Sequence, residues 1–278
     1  MANVTDPHFI TEMKDQFLNL LDKELVFDNE VDSWFLMNSA LPVFSIIGAY
    51  LVFVLKIGPN MMEKRPPYKL KQIMLFYNLF QTGYNVFLLC KLFFTPGALI
   101  YLWNHSCHPI ERSKNSYLLY ELNNASWYFF MSKVIDLLDT IFFVLRKKQC
   151  QVTFLHVYHH SNMVITCWAY LRFIKGEQAA LPGSINSFIH VIMYFYYFLA
   201  ALGPHMQPYL WWKKYLTRMQ IIQFVVILIW YIGLVLFNCQ FPKVYIYYNV
   251  ANVALFLYLF SLFYKKTYKN APKTVKTN

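Results

Sequence analysis

Residues 152–171 read Val152-Thr-Phe-Leu-His156-Val-Tyr-His159-His160-Ser-Asn-Met-Val-Ile-Thr-Cys-Trp-Ala-Tyr-Leu171. The stretch is about as long as the ~20 residues that cross a bilayer core as a helix, and apart from three imidazoles it is apolar enough to do so. An ionisable side chain inside a membrane is costly and by default marks function. At ~3.6 residues per turn, His156, His159 and His160 fall within roughly 100° of one helical face, so one small pocket can contain all three.

The rest of the chain fits the same class. Of 278 residues, 58% are hydrophobic and only 14% are charged, too apolar for a soluble domain of ordinary composition. Seven stretches reach span length: 34–56, 73–95, 117–145, 152–171, 183–203, 216–238 and 244–264. The connections are short, and no Ser/Gly-rich or Pro-rich linker separates two folded units. The expectation is an all-α polytopic membrane protein with seven transmembrane helices in one bundle. A lumenal segment, 1–33, precedes the membrane domain, 34–264, and a basic cytosolic tail, 265–278, follows it.

Lys and Arg favour cytosolic loops, which sets the orientation. One set of loops holds Lys64, Arg65, Lys69, Lys71, Arg146, Lys147, Lys148, Lys213, Lys214, Arg218, Lys265, Lys266, Lys269, Lys273 and Lys276. The other holds Lys14, Lys23, Arg112, Lys114, Arg172, Lys175 and Lys243. Fifteen against seven puts the first set in the cytosol and the N-terminus in the lumen or outside. The acidic stretch from Asp6 to Asp32 agrees with that placement and does not read as a cleaved signal peptide. The formal charge of +11 therefore belongs mostly to cytosolic loop ends, where it serves topology and lipid headgroups and can also hold a phosphorylated substrate. It does not call for nucleic acid.

Cys107 and Cys239 both fall in predicted lumenal loops, where oxidation is permitted, so they can pair. Cys90, Cys150 and Cys167 lack a neighbouring CxxC or base and read as unreactive. Sequons at Asn3-Val-Thr5 and Asn104-His-Ser106 lie on the predicted lumenal side; a third, Asn124-Ala-Ser126, does not.

Of fourteen carboxylates, Asp136 and Asp139 are the two placed well inside a span, on the helix that carries Lys133. At ~100° per residue Lys133, Asp136 and Thr140 share a stripe, with Asp139 about 120° from Lys133. An intrahelical ion pair that lowers the desolvation cost explains part of this, yet two acids and a base exceed what a stable span needs. In the fifth span Asn186, His190, Met193, Tyr194 and Tyr197 form a polar and aromatic stripe. The sixth opens with Thr217, Gln220 and Gln223. Either alone is ordinary interhelical hydrogen bonding. At ~1.5 Å per residue, Asp139 lies about 10 Å and His156 to His160 about 5–15 Å from the cytosolic ends of their helices, with Lys133 and His190 near the midplane. The shared depth points to one chamber.

The ordered set Lys133xxAsp136xxAsp139Thr140, His156xxHis159His160, Asn186xxxHis190xxMet193TyrxTyrTyr197 and Thr217xxGln220xxGln223 resembles the four motifs of the very-long-chain fatty acid elongases, membrane 3-ketoacyl-CoA synthases of the endoplasmic reticulum. The likeness runs from about residue 30 to 265, with Asp136 where that family usually has Glu. It implies condensation of a long-chain acyl-CoA with malonyl-CoA to 3-ketoacyl-CoA, CO2 and CoA, in the endoplasmic reticulum membrane, with no metal or further cofactor. Membrane lipid, a second copy of the chain and other enzymes of the elongation cycle are the partners it suggests.

An imidazole can itself carry an acyl group. By position in the motif, His160 is the expected nucleophile. His159 and His190 would orient malonyl-CoA, stabilise its enolate or exchange protons. Lys133, Asp136 and Asp139 would fix imidazole tautomers and balance charge, and His156 would lend support. Asn186, Tyr194, Tyr197, Thr217, Gln220 and Gln223 are candidates for substrate contact, and Arg146, Lys147, Lys148, Lys213, Lys214 and Arg218 for the CoA phosphates. The acyl tail needs a long apolar tunnel open to the cytosol. One rival is a di-iron lipid oxygenase or desaturase, whose clusters use about eight histidines; this chain has eight in all, and only four at the right depth. A seven-span receptor or transporter is the other, disfavoured by the cytosolic concentration of imidazoles and acids.

Overall fold

The computed structural model describes Val26, residues 28–109 and residues 116–269. The sequon at Asn3, most of the acidic N-terminal stretch, His8, Arg112, Lys114 and the tail with Lys273 and Lys276 lie outside the described residues. Within them the chain is helical, with no strand. A short α1 (Asn29–Ser33) precedes α2 (Ala40–Glu63), α3 (Lys71–Phe93), a short α4 (Ala98–His105), α5 (Ser116–Leu145), α6 (Phe154–Phe173), α7 (Ala180–Leu202), α8 (Lys213–Leu236) and α9 (Lys243–Lys269).

Five of these, α2, α3, α7, α8 and α9, are long and apolar enough to cross a membrane. The two others of span length, α5 with Lys133, Asp136 and Asp139 and α6 with its three histidines, carry too much polarity to meet that test alone. All seven long stretches read from the sequence are thus helices, with shifted ends. The first shift is the largest: the helix expected over 34–56 begins at Ala40 and runs on to Glu63. Pro59 has no N–H to give the preceding turn, and the helix absorbs this by a π turn over Phe53–Ile57, in which the Gly58 N–H reaches Phe53 O. Gly58 also permits close packing on α5, since a Cβ there would lie 2.6 Å from Val144 Cγ1.

Two short α-helices were not anticipated. Asp28 caps α1, its carboxylate accepting from Glu30 N and Val31 N. The connection between α3 and α5 contains α4, entered through Gly97 in the left-handed region at φ 78°, where glycine carries no steric penalty. The tail boundary also moves, because α9 continues through a π turn to Lys269.

Packing divides the molecule into two main apolar clusters. One joins α1, α2, α5 and α6 around Met37, Val54, Phe130 and Leu171; the other joins α6, α8 and α9 around Phe224, Tyr231, Ile246 and Phe256. The closest helix pairings are α3 with α7, α8 with α9 and α5 with α6. α6 therefore belongs to both clusters, and its histidines sit where they meet.

At one end of the bundle the Cys107–Cys239 disulfide forms as the topology suggested, with Cα atoms 4.5 Å apart and Gln240 N donating to Cys107 O. There too, Arg172 Nη1 and Lys175 Nζ lie 2.5 and 3.0 Å from the Asp32 carboxylate, tying α1 to the end of α6. Burial alone would raise the Asp32 carboxyl, but hydrogen bonds from Arg172 and Lys175, and their charges, hold it below its ordinary 3.8. At the opposite end Lys147, in the left-handed region, ends α5 and donates from Nζ to Glu63 O at 3.0 Å.

Candidate active site

Thr153 starts α6, its hydroxyl accepting from His156 N at 3.2 Å, so the histidines occupy the first two turns. The rings of His156 and His160 lie 4.2 Å apart, and those of His159 and His160 meet edge to face at 5.4 Å. His156 packs on Phe143 of α5, and His159 on Phe256 of α9. The run therefore has two sides: His156 toward α5, His159 toward α9, and the buried His160 between them.

The charged cluster is centred on Asp136. Lys133 Nζ is 3.2 Å from Asp136 Oδ2 and 3.4 Å from His190 Nδ1, and His190 Nδ1 is 3.7 Å from the same carboxylate oxygen. Gln81 Nε2 donates to Asp136 Oδ1 at 2.5 Å, and Tyr194 Oη is 2.8 Å from both Asp136 Oδ1 and Asp139 Oδ2. Lys133 and Asp136 are each 2% exposed. The intrahelical pair is real, but it is one edge of a network that joins α3, α5 and α7. Thr140, on the same stripe, shares a hydrogen bond with Tyr50 of α2 at 2.8 Å.

Beside the histidines runs a mostly apolar cavity of about 160 Å³, bounded by α3 and α5 to α9. His159, Phe256, Gln223 and Asn186 line it, as do Tyr170, Gly176 and Pro182 beyond them. Between His159 and Tyr170, both on its wall, α6 rises ~16 Å. Among the three histidines of the run His159 borders this space; His156 and His160 do not. Gln223 Oε1 and Asn186 Oδ1 are buried polar atoms with no hydrogen-bond partner in the protein, as is His156 Nε2. Leaving such atoms unpaired costs about 1–3 kcal/mol each, which suits groups kept for a ligand. Among the described residues no three or more His, Cys, Asp or Glu side chains are arranged to hold a metal ion.

The other candidates divide. Gln223 lines the cavity, whereas Gln220 Nε2 touches Met193 Sδ at 3.5 Å and Thr217 Oγ1 meets Tyr268 at 3.4 Å. Tyr197 packs on Tyr194 and is 37% exposed. Lys147, Lys148, Lys213, Lys214 and Arg218 are exposed and Arg146 partly so; Arg218 Nε donates to Tyr264 Oη at 2.7 Å.

Sequence reasoning overlooked the α3 stripe of Tyr77, Asn78, Gln81 and Asn85, all buried. Their spacing of three and four residues inside an apolar run was the available signal. It also overlooked Asn252 and Tyr248 of α9, which bond Tyr158 and Asn162 of α6 at 2.6 and 2.7 Å. Glu121, in the second turn of α5, pairs with Lys91 of α3 at 2.7 Å.

An all-helical, multi-pass membrane protein with a buried His-Lys-Asp cluster beside an apolar cavity is the class that fold and site define. The chain belongs to the GNS1/SUR4 (ELO) family, whose model matches residues 35–276. Among similar proteins, very long chain fatty acid elongase 4 of Homo sapiens is 41% identical over 255 residues, 91% of this chain and 80% of that one. Very long chain fatty acid elongase 7 of Rattus norvegicus is 39% identical over 254 residues, covering 90% and 89%. Elongase 7 of Drosophila melanogaster is 36% identical over 261 residues, 94% of this chain and 78% of the relative.

Proposed function

We propose that this chain is a fatty acid elongase of the endoplasmic reticulum membrane that condenses a long-chain acyl-CoA with malonyl-CoA to 3-ketoacyl-CoA, CO2 and CoA. The observation that carries the reading is the position of the imidazoles: His159 on the wall of a mostly apolar cavity, with His160 beside it. α5 and α6 join the five apolar helices as the sixth and seventh spans, with the N-terminus lumenal. Lys64, Arg65, Lys69, Lys71, Lys265 and Lys266 then lie on the cytosolic side, where Arg146, Lys147, Lys148, Lys213, Lys214 and Arg218 meet the CoA phosphates.

The acyl tail lies in the cavity with its thioester at the histidines. An imidazole nitrogen attacks the thioester carbonyl, the C–S bond breaks, and CoA leaves. Malonyl-CoA then loses CO2, and its enolate carbon attacks the acyl-imidazole. The Lys133 ammonium and His190 stabilise the enolate oxygen, and Asp136 fixes both. Gln223 and Asn186 supply polar contacts along the cavity wall. His160 is the carrier by its place in the motif. One observation favours a second assignment, His159, because that ring borders the cavity.

Membranes holding the wild type, His160→Ala or His159→Ala, given labelled malonyl-CoA and a panel of acyl-CoAs, test both points. No incorporation by the wild type refutes the elongase reading. The carrier is the histidine whose loss abolishes labelled acyl-enzyme from acyl-CoA alone, and full activity in either variant removes that residue from the role.

A further inference from the structure

Tyr194 Oη makes two 2.8 Å contacts, one with Asp136 Oδ1 and one with Asp139 Oδ2. A phenol has one proton to donate. Asp136, which already accepts from Lys133 and Gln81, is the carboxylate that receives it, and the contact with Asp139 is then a hydrogen bond only when Asp139 carries a proton and donates it to Tyr194 Oη. The three groups thus form a directed chain, Asp139 to Tyr194 to Asp136. Lys133 Nζ donates to Asp136 Oδ2 at 3.2 Å and lies 3.4 Å from His190 Nδ1, so once its ammonium has given a proton to His190 the amine can take one back from Asp136. Asp139, on α5, is partly exposed, while Tyr194, Asp136, Lys133 and His190 are buried.

The reaction needs such a chain. Resting on the elongase reading above, the reacting groups balance as acyl thioester, malonyl carboxylate and one proton giving the 3-keto thioester, CO2 and a CoA thiol. In the first half, attack by neutral imidazole forms a C–N bond and releases thiolate, which takes the imidazolium proton. In the second half the enolate forms the C–C bond, the C–N bond breaks, and its electron pair leaves on imidazolate, which must be reprotonated. One proton therefore enters a dry site in every turnover. The geometry points to Asp139–Tyr194–Asp136–Lys133–His190 as the route by which that proton enters. His190, the last group of the route, delivers it to the imidazolate. Each transfer moves a proton one hydrogen bond along, and Asp139 is refilled from the cytosolic side.

The groups facing this route are Lys133, Asp136 and Asp139 on α5, His190, Tyr194 and Tyr197 on α7, Tyr77 and Gln81 on α3, and His159 and His160 on α6. Tyr194→Phe keeps the ring, which packs edge to face on Tyr77 at 6.0 Å, and removes one link. With saturating substrates the variant is expected to lose about a hundredfold or more in kcat, within the range for general acid–base groups, with KM for malonyl-CoA unchanged. Its rate should fall as pH rises over a range where the wild type is flat, its solvent deuterium isotope effect should increase, and small permeant weak acids should restore part of the rate. Should Tyr194→Phe fail to fold, Asp139→Asn carries the same readouts, with Asp139→Glu expected to recover them. An active wild type whose variants keep the wild-type pH profile and isotope effect, and gain nothing from added acid, overturns the relay alone. An inactive wild type overturns the elongase reading instead.

Discussion

Removing the charge on one side of the Lys133–Asp136 pair should unfold the protein more readily than removing both. Both side chains are 2–3% exposed, so Asp136→Asn leaves a buried ammonium beside His190 and the Phe129 ring, 4.7 Å from its centroid, without its carboxylate partner. Breaking such a pair costs about 3–5 kcal/mol. Lys133→Met strands the carboxylate in the same way, although Gln81 and Tyr194 still donate to it. With both substitutions no charge remains. The Asn carboxamide oxygen can still accept from Gln81 and Tyr194, leaving roughly the 1–2 kcal/mol expected for imperfect hydrogen bonding. Urea or thermal unfolding in detergent, followed by far-UV circular dichroism, measures the four proteins of this double-mutant cycle. The double variant should be clearly more stable than either single one, yet inactive in elongation. If the two single losses simply add, the pair is not the electrostatic unit described here. If the double variant retains activity, its charge has no part in the chemistry.

Three further outcomes are expected. Asp32 has its carboxyl held down by Arg172 and Lys175, so its contribution to stability is present above its ordinary pH of 3.8 and lost as pH falls through the lower folded value; Asp32→Asn should abolish that acid-dependent part of the unfolding midpoint. The Cys107–Cys239 bridge spans a sequence separation of 132, so Cys107→Ser should cost about 4–5 kcal/mol by loop-closure entropy, and reductant should destabilise the wild type but not the variant. At Gly183, a cavity-lining position where a Cβ meets nothing within 4 Å, Gly183→Ala should leave products unchanged. Gly183→Phe should shorten the longest acyl chain accepted, read by gas chromatography of products; an unaltered chain-length profile removes this cavity as the tail site.

The long helices were legible because hydrophobic length is a property of the local sequence. Their ends were less so. Nothing in a count of apolar residues reveals that Pro59 is passed by a π turn, or that Gly97 starts a separate helix. The Lys133, Asp136 and His190 constellation was legible because charge in an apolar segment is conspicuous. Gln81 was not, since an uncharged amide in a span reads as ordinary interhelical contact, and its bond to Asp136 depends on how α3 packs against α5. The division of the histidine run was invisible for the same reason. Period places three rings on one face, but the neighbours Phe143 and Phe256 decide which ring borders the cavity.

The two helices that carry Lys133, Asp136 and the histidine run, α5 and α6, are the two long ones that lack the apolarity to cross a bilayer alone. On the proposed seven-span arrangement their integration during synthesis is a cooperative event. Lys133 and Asp136 partly neutralise each other within α5 as soon as it is helical, but His190 and Tyr194 reach them only after α7 has emerged from the ribosome. On that arrangement the polar part of α5 is until then held in the membrane by its flanking helices. Substitutions at Tyr194 or His190 should thus slow maturation of the nascent chain as well as catalysis, and pulse-labelled chains of such variants should stay extractable by alkaline carbonate longer than the wild type.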